Sequence, residues 1–93
     1  MHYTYMLLSE WDWRFYTGST GDLDARVRRH NQGRVRSTAH RGPLRLIYYE
    51  ACIDPDDARR RERFLKTGKG KRFLKNRLAA SLAGIWDDKL ERH

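Results

Sequence analysis

At 93 residues and 39% hydrophobic content, the chain is long enough to bury one modest core without disulfide or metal staples and too short for a second full domain. Its single cysteine, Cys52, excludes an internal disulfide, no apolar stretch approaches the roughly 20 residues of a membrane-spanning helix, and "MHYTYMLLSE" lacks the basic lead and long apolar run of a secretory leader, so a cytoplasmic protein is expected. The formal net charge of +8 favours an anionic partner over a basic or neutral one.

In chain order, "YTYMLL" (Tyr3 to Leu8) alternates aromatic, small and aliphatic residues and predicts a strand. "RFYTGS" (Arg14 to Ser19) predicts a second, and the "SEWDW" between them is of hairpin length, so the two are expected to pair antiparallel. "GDLDARVRRHNQG" has acids in its first turn, Leu23 and Val27 four apart, basic residues toward its end and Gly33 as a stop, predicting a helix from about Asp22 to Asn31. "NQGRVRSTAHRGP" is a polar, basic loop, and "LRLIYYEA" (Leu44 to Ala51), rich in β-formers and bounded by Pro43, predicts a third strand. "DPDDARRRERFLKTG" opens with Asp54 as N-cap and Pro55 at the first helical position, and closes at Gly68 as a second helix. After "GKG", "KRFLKNRLAASLAGIW" spaces Leu74, Leu78, Leu82 and Ile85 for a third helix, and the tail "DDKLERH" carries no packing signal and is expected to fray. The expected architecture is α/β (α+β), a three-stranded antiparallel sheet flanked by about three helices, with residues 1–82 as the domain and 83–93 as helix end and C-terminal tail.

The positive charge is concentrated. Seven Arg fall between Arg26 and Arg45 with no acid among them, and ten Lys or Arg fall between Arg59 and Arg77 with Glu62 the one acid. Such clustering attracts polyanions and releases their counterions, which favours nucleic acid as the partner. An anionic membrane is a weaker rival, because the basic segments lack a broad apolar face opposite the charge. At 100° per residue, Glu62 falls near the stripe of Ala58 and Leu65, so it is expected to face the protein. The same geometry puts His30 beside Leu23 and Val27, with Arg26 four residues earlier on a shared face. A carboxylate, a guanidinium and an imidazole withdrawn from water are costly unless they pair or serve a site, and an Arg26–Glu62 ion pair with a satisfied core histidine is the structural alternative. Tyr5 and Tyr16 have core or rim packing as theirs.

The ordered set "TYMLL", "FYTGST", "DLDARVRRHNQG" and "RRRERFLKTG" resembles the GIY-YIG nuclease domain, in the small stand-alone form similar to the N-terminal domain of the excision-repair nuclease UvrC. The likeness runs from Tyr3 to about Leu82, and the four blocks at these spacings are more specific than either tripeptide. Tyr3, Thr4 and Tyr5 stand where the first tripeptide is expected, and Tyr16, Thr17 and Gly18 where the second is. The resemblance implies the GIY-YIG endonuclease fold and a site of Tyr5, Tyr16, Arg26, His30 and the metal-binding Glu62, with Asn76 matching an asparagine that often joins them. A lysine that some members carry after the second motif gives way to Ser19 and Thr20, leaving that position without its phosphate contact or base-activating charge.

The implied chemistry suits these residue types. Phosphodiester hydrolysis needs a deprotonated water in line with the leaving oxygen and stabilisation of the charge that builds at phosphorus. One Mg²⁺ or Mn²⁺ ion can keep most of its waters and bind through Glu62 and a phosphate oxygen, while Arg26 offers a planar fork of donors to the nonbridging oxygens. The resemblance implies a tyrosine base, Tyr5 foremost, although an unperturbed phenol with a pKa of about 10 needs a neighbour such as Arg26, the metal or His30 to stabilise its phenolate. Tyr16 would then orient water or phosphate, and His30 as the direct base is the rival assignment. Arg34, Arg36 and Arg41 in the loop, with Lys69, Lys71, Arg72 and Lys75 around "KTGKGKRFLK", are expected on the nucleic-acid backbone, the glycines letting the chain approach phosphates. Trp11 and Trp13 are candidates for base stacking, against the commoner role of capping a small sheet. The expected function is thus a divalent-metal-dependent endonuclease acting on DNA, selective for structure or single strands, with RNA as a second substrate class, a place in DNA repair, and a protein partner as one source of specificity. A noncatalytic DNA- or RNA-binding module on the same scaffold would keep the basic windows and have no need of Glu62.

Overall fold

The computed structural model describes residues 1–92, with the side chains of residues 90–92 left aside; His93, the end of the expected tail, lies outside the described residues. The chain falls into two compact units, residues 1–62 and residues 63 onward. In the first, β1 (His2–Ser9), β2 (Phe15–Thr20) and β3 (Leu44–Cys52) form an antiparallel sheet in the order β2-β1-β3. The central β1 is buried from Thr4 to Ser9, which is why its sequence runs on as "YMLL" without polar alternation: both of its faces are covered.

The two faces are covered by different helices. Tyr5, Leu7 and Leu44 pack with Tyr16, Leu46 and with Leu23 and Val27 of α1 (Leu23–Asn31), so α1 lies on the Tyr5 face. On the other face the buried Thr4 hydroxyl donates to the Ala58 carbonyl of α2 (Pro55–Leu65) at 2.9 Å. Asp22 caps α1 by accepting from the Ala25 N–H at 3.1 Å. At its other end the Asn31 side chain clasps Leu44, accepting from its N–H at 2.8 Å and donating to its carbonyl at 2.9 Å. The segment between is a loop as expected, but it holds a single 3₁₀ turn (Arg36–Thr38) and buries Val35 and Thr38. At the β1–β2 connection the Ser9 hydroxyl accepts from the N–H groups of Trp11 and Asp12 at 3.2 Å and donates to the Arg41 carbonyl at 2.6 Å.

The helical C-terminal region departs from expectation. The second helix ends at Leu65 rather than at Gly68, because Thr67 caps a new one by accepting from the Gly70 N–H at 3.1 Å. "GKG" is therefore the first turn of α3 (Gly68–Arg77) and not a phosphate-approaching loop. The single third helix expected is two, α3 and α4 (Ala79–Arg92), broken at Leu78, and residues 87–92 of the expected frayed tail continue α4. Four α-helices thus accompany the sheet among the described residues. None is long and apolar enough to cross a membrane.

Gly70 has a packing reason. A Cβ there would collide with the Phe64 carbonyl and with the Leu65 Cα, backbone atoms that cannot swing aside. Gly84 within α4 meets nothing within 4 Å. Alanine is the better helix former by about 1 kcal/mol, so propensity and sterics oppose each other at Gly70 alone. Gly84→Ala is expected to raise stability by up to about 1 kcal/mol and Gly70→Ala to lower it by about 1–3 kcal/mol, read by urea denaturation; a stabilised Gly70→Ala protein would contradict the close approach.

Candidate active site

Tyr5 sits on the central strand, yet its phenol reaches the edge strand because its partner in register is Gly18. A Cβ on Gly18 would stand 2.5 Å from Tyr5 Oη and 2.7 Å from Cζ, so only glycine leaves room for the ring to cross β2. The ring is core, 2% exposed, and the oxygen is polar and enclosed, so it needs partners. It has two. His30 Nε2 lies 2.8 Å away and Arg26 Nε–H donates from 3.4 Å, both side chains arriving from one face of α1, four residues apart as the helical spacing predicted. Behind His30, its Nδ1 lies 2.6 Å from the hydroxyl of Thr38.

His30 is 5% exposed, and burial, aided by the charge of Arg26, lowers its pKa from the usual 6.5 to about 4. The imidazole is therefore neutral at physiological pH. The order inward is Arg26, Tyr5, His30, Thr38. Arg26, half-buried, is the member of this chain that faces the surface: with Ser19, Thr20, Asp22, Ala25 and Arg29 it lines an open cleft of about 330 Å³.

Glu62 comes to the same edge strand from the other side of the sheet. Ser19 pairs with Thr4, and so shares the face that α2 covers, while Gly18 pairs with Tyr5 on the α1 face. The Ser19 hydroxyl donates to Glu62 Oε1 at 2.7 Å and also lines the cleft beside Arg26. Glu62 faces the protein as expected, between the buried Ala58 and Leu65, and its carboxylate is engaged by Ser19 while Arg26 is turned to Tyr5. The two helices accordingly do not share a pocket floored by phenols; they bracket an edge strand whose adjacent residues Gly18 and Ser19 face opposite ways. No group of three or more His, Cys, Asp or Glu side chains that could hold a metal occurs among the described residues, so an ion here would rest on few protein ligands.

Tyr16 lies on the Tyr5 face but turns its hydroxyl toward the hairpin, donating to Asp12 Oδ2 at 3.2 Å. Burial, then the bond to and charge of Asp12, raise the Tyr16 pKa. Asp12 moves the other way: burial pushes its carboxyl up, but hydrogen bonds at Arg14, Ser9 and Tyr16 and the charge of Arg41 outweigh it and hold the pKa low. Asn76 is an exposed residue of α3 in the second unit. Lys69, Lys71, Arg72 and Lys75 are exposed on that helix, and Arg34 and Arg36 are exposed in the loop. Arg41 differs: it pairs with Asp12 at 3.2 Å and lies over the Trp11 ring at 5.1 Å, which covers one face of a candidate stacking residue.

Folding also thins the basic windows. Arg59 and Arg60 pair with Asp56 and Asp57 one turn earlier, and Arg61 holds Glu50 through Nε at 2.9 Å and Nη2 at 3.0 Å. What remains beside the cleft is Arg26 and Arg29, three apart on α1. Arg29, Ser19 and Thr38 are site neighbours that the sequence reading did not select. Arg29 follows Arg26 at helical spacing and was legible; Thr38 reaches His30 across a loop, where no periodicity points.

The suppressed ionisation of His30 ties stability to pH. Its folded pKa lies below its unfolded value, so the unfolded chain binds the proton more readily, and stability is full above about pH 6.5 and lost as pH falls toward about 4. Lowering pH from about 7.5 to about 5 should cost the wild type about 2 kcal/mol through this group, and denaturation of His30→Gln should show less than half that loss. Equal losses in the two proteins would contradict the assignment.

The GIY-YIG catalytic domain family matches residues 1–77. Among similar curated proteins, a UPF0213 protein of Lacticaseibacillus paracasei is 47% identical over 58 residues, covering 61% of this chain and 64% of its own length. One from Clostridium perfringens is 37% identical over 67 residues, 71% of each chain, and one from Staphylococcus haemolyticus is 36% identical over 75 residues, 80% of this chain and 90% of its own. No solved structure matches. The family match runs from β1 to the end of α3, with UPF0213 proteins as relatives, and the chain belongs to the GIY-YIG family of nuclease domains, in its small form.

Proposed function

We propose that the chain is a divalent-metal-dependent endonuclease that hydrolyses phosphodiester bonds in DNA, selecting by structure or single-strandedness rather than by base sequence. The observation that carries this reading is the meeting, at one edge strand, of an arginine-lined cleft, an enclosed phenol oxygen bracketed by Arg26 and His30, and the Glu62 carboxylate. Arg26 and Arg29 supply the fork of donors that nonbridging phosphate oxygens require. The Ser19 hydroxyl and Glu62 carboxylate are hard oxygen donors of the kind Mg²⁺ or Mn²⁺ takes, and Glu62 is the residue that would hold such an ion. When bound, the ion supplies Lewis-acid stabilisation of the charge developing on the leaving oxygen.

Tyr5 is the base in this reading. His30 lies behind it, buried and away from the residues that line the cleft, and Tyr16 is committed to Asp12 with its ionisation disfavoured. The Arg26–Tyr5 bond of 3.4 Å is long, so an incoming phosphate can draw the guanidinium off the phenol and uncover Oη for the attacking water. Affinity then comes from exposed cations, with Arg34 and Arg36 in the loop and the lysines of α3 as phosphate contacts, and with Arg41 in a supporting role beside Trp11. RNA remains a second substrate class, and a protein partner supplies specificity where a recognition element is wanted.

Branched, single-stranded and duplex DNA, and matching RNA, incubated with Mg²⁺, with Mn²⁺ and with chelator, test the reading directly. Metal-dependent cleavage is expected, strongest on branched or single-stranded DNA. Glu62→Gln, which keeps an acceptor for Ser19 and removes the charge, should slow cleavage by roughly 10²-fold or more and leave binding equal or tighter. Binding that falls steeply with salt while no metal supports cleavage would favour a noncatalytic module instead.

A further inference from the structure

The donor and acceptor roles along the Thr38–His30–Tyr5 chain follow from a count of hydrogens. Thr38 is 1% exposed, and its main-chain groups are occupied: its N–H donates to the Val35 carbonyl at 3.1 Å and its carbonyl accepts from the Arg41 N–H at 3.0 Å. Its hydroxyl has one proton to place. Among the described residues the side chain has a single polar partner, His30 Nδ1 at 2.6 Å. A buried hydroxyl that accepted from Nδ1–H would leave its own hydrogen unpaired, at a cost of about 1–3 kcal/mol. The favourable arrangement has Thr38 donating to an unprotonated Nδ1.

That choice fixes the rest. A neutral imidazole with a bare Nδ1 carries its hydrogen on Nε2, which faces Tyr5 Oη at 2.8 Å. Tyr5 Oη then accepts from His30 Nε2–H and from Arg26 Nε–H. Both donors complement the charge of a phenolate, and the phenol hydrogen is left to the cleft side, where Tyr5 Oη lies against Gly18 of the edge strand and beside the cleft-lining Arg26. Thr38, at the inner end of the chain of contacts, has no such outlet for its own. We propose that Thr38 is a positioning residue that sets the tautomer of His30, making the imidazole a hydrogen-bond donor to Tyr5 rather than an acceptor of its proton. This rests on the nuclease reading for its consequence and not for its geometry. His30 does not take the phenol proton: that proton leaves to solvent on the cleft side, and the two donors then stabilise the phenolate that accepts one from the attacking water.

Long-range ¹H–¹⁵N correlation of the His30 ring at neutral pH reads the tautomer without substrate. The wild type should show the proton on Nε2 and a bare Nδ1; a proton on Nδ1 overturns the proposal, whether or not the protein cleaves anything. Thr38→Val, nearly isosteric without the hydroxyl, should move some or all of that proton to Nδ1 and slow single-turnover cleavage by roughly 10-fold or more, while Thr38→Ser restores both. An unchanged ring spectrum in Thr38→Val contradicts the role of the hydroxyl. Failure of cleavage in every protein, with the expected ring spectra, counts against the nuclease reading and leaves the tautomer assignment standing.

Discussion

A phenol oxygen in a nearly dry place has to be satisfied from within, and that requirement organises the first unit of this protein. Tyr5 is anchored in the core by its position on the central strand, and Gly18 gives the ring a path to the sheet edge. His30 and Arg26 supply its partners because both project from one face of α1. Thr38 completes the line from the loop that Asn31 ties to β3. Each element has a packing role, and its polar atoms are spent on the same short chain of contacts. The low pKa of His30 follows from that enclosure and from the neighbouring guanidinium.

The sheet edge is the second constraint. Adjacent residues of a strand face opposite ways, so Gly18 opens the Tyr5 face while Ser19 reaches the α2 face and meets Glu62. An acid from one helix and a guanidinium from another thereby come to one rim without forming an ion pair that would neutralise both. In the resting protein the Ser19 hydroxyl engages the carboxylate and the Tyr5 oxygen engages the guanidinium. For a family of nuclease domains this separation has a use: a phosphate needs cations on its nonbridging oxygens and, where a metal takes part, a carboxylate to hold it.

Much of this was legible in the chain. The three strands, the first helix and its cap, and the inward turn of Glu62 follow from period, turn chemistry and the caps, since those features are local. The shared face of Arg26 and His30 follows from their spacing of four. Opposite placement of α1 and α2 was not legible, because it depends on which of two alternating residue sets each helix covers. The break at Leu78 and the helical "GKG" escaped because Thr67 is a better N-cap than "GKG" is a loop, and because Gly70 is required by the backbone of Phe64 and Leu65, several residues upstream. Thr38 escaped because a buried threonine in a polar, arginine-rich loop has no local signature. The charge clusters read from the sequence are real but partly spoken for, by acids that lie outside those windows along the chain and beside them in space.

The central claim is that the Tyr5 oxygen, and not merely its ring, does the work. Tyr5→Phe removes that one atom and keeps the packing, and the measurement is its single-turnover cleavage rate on the preferred substrate alongside its binding. The account predicts a loss of roughly 10²-fold or more in rate with binding preserved and the fold intact. A folded Tyr5→Phe protein that cleaves within a few-fold of the wild type would contradict it.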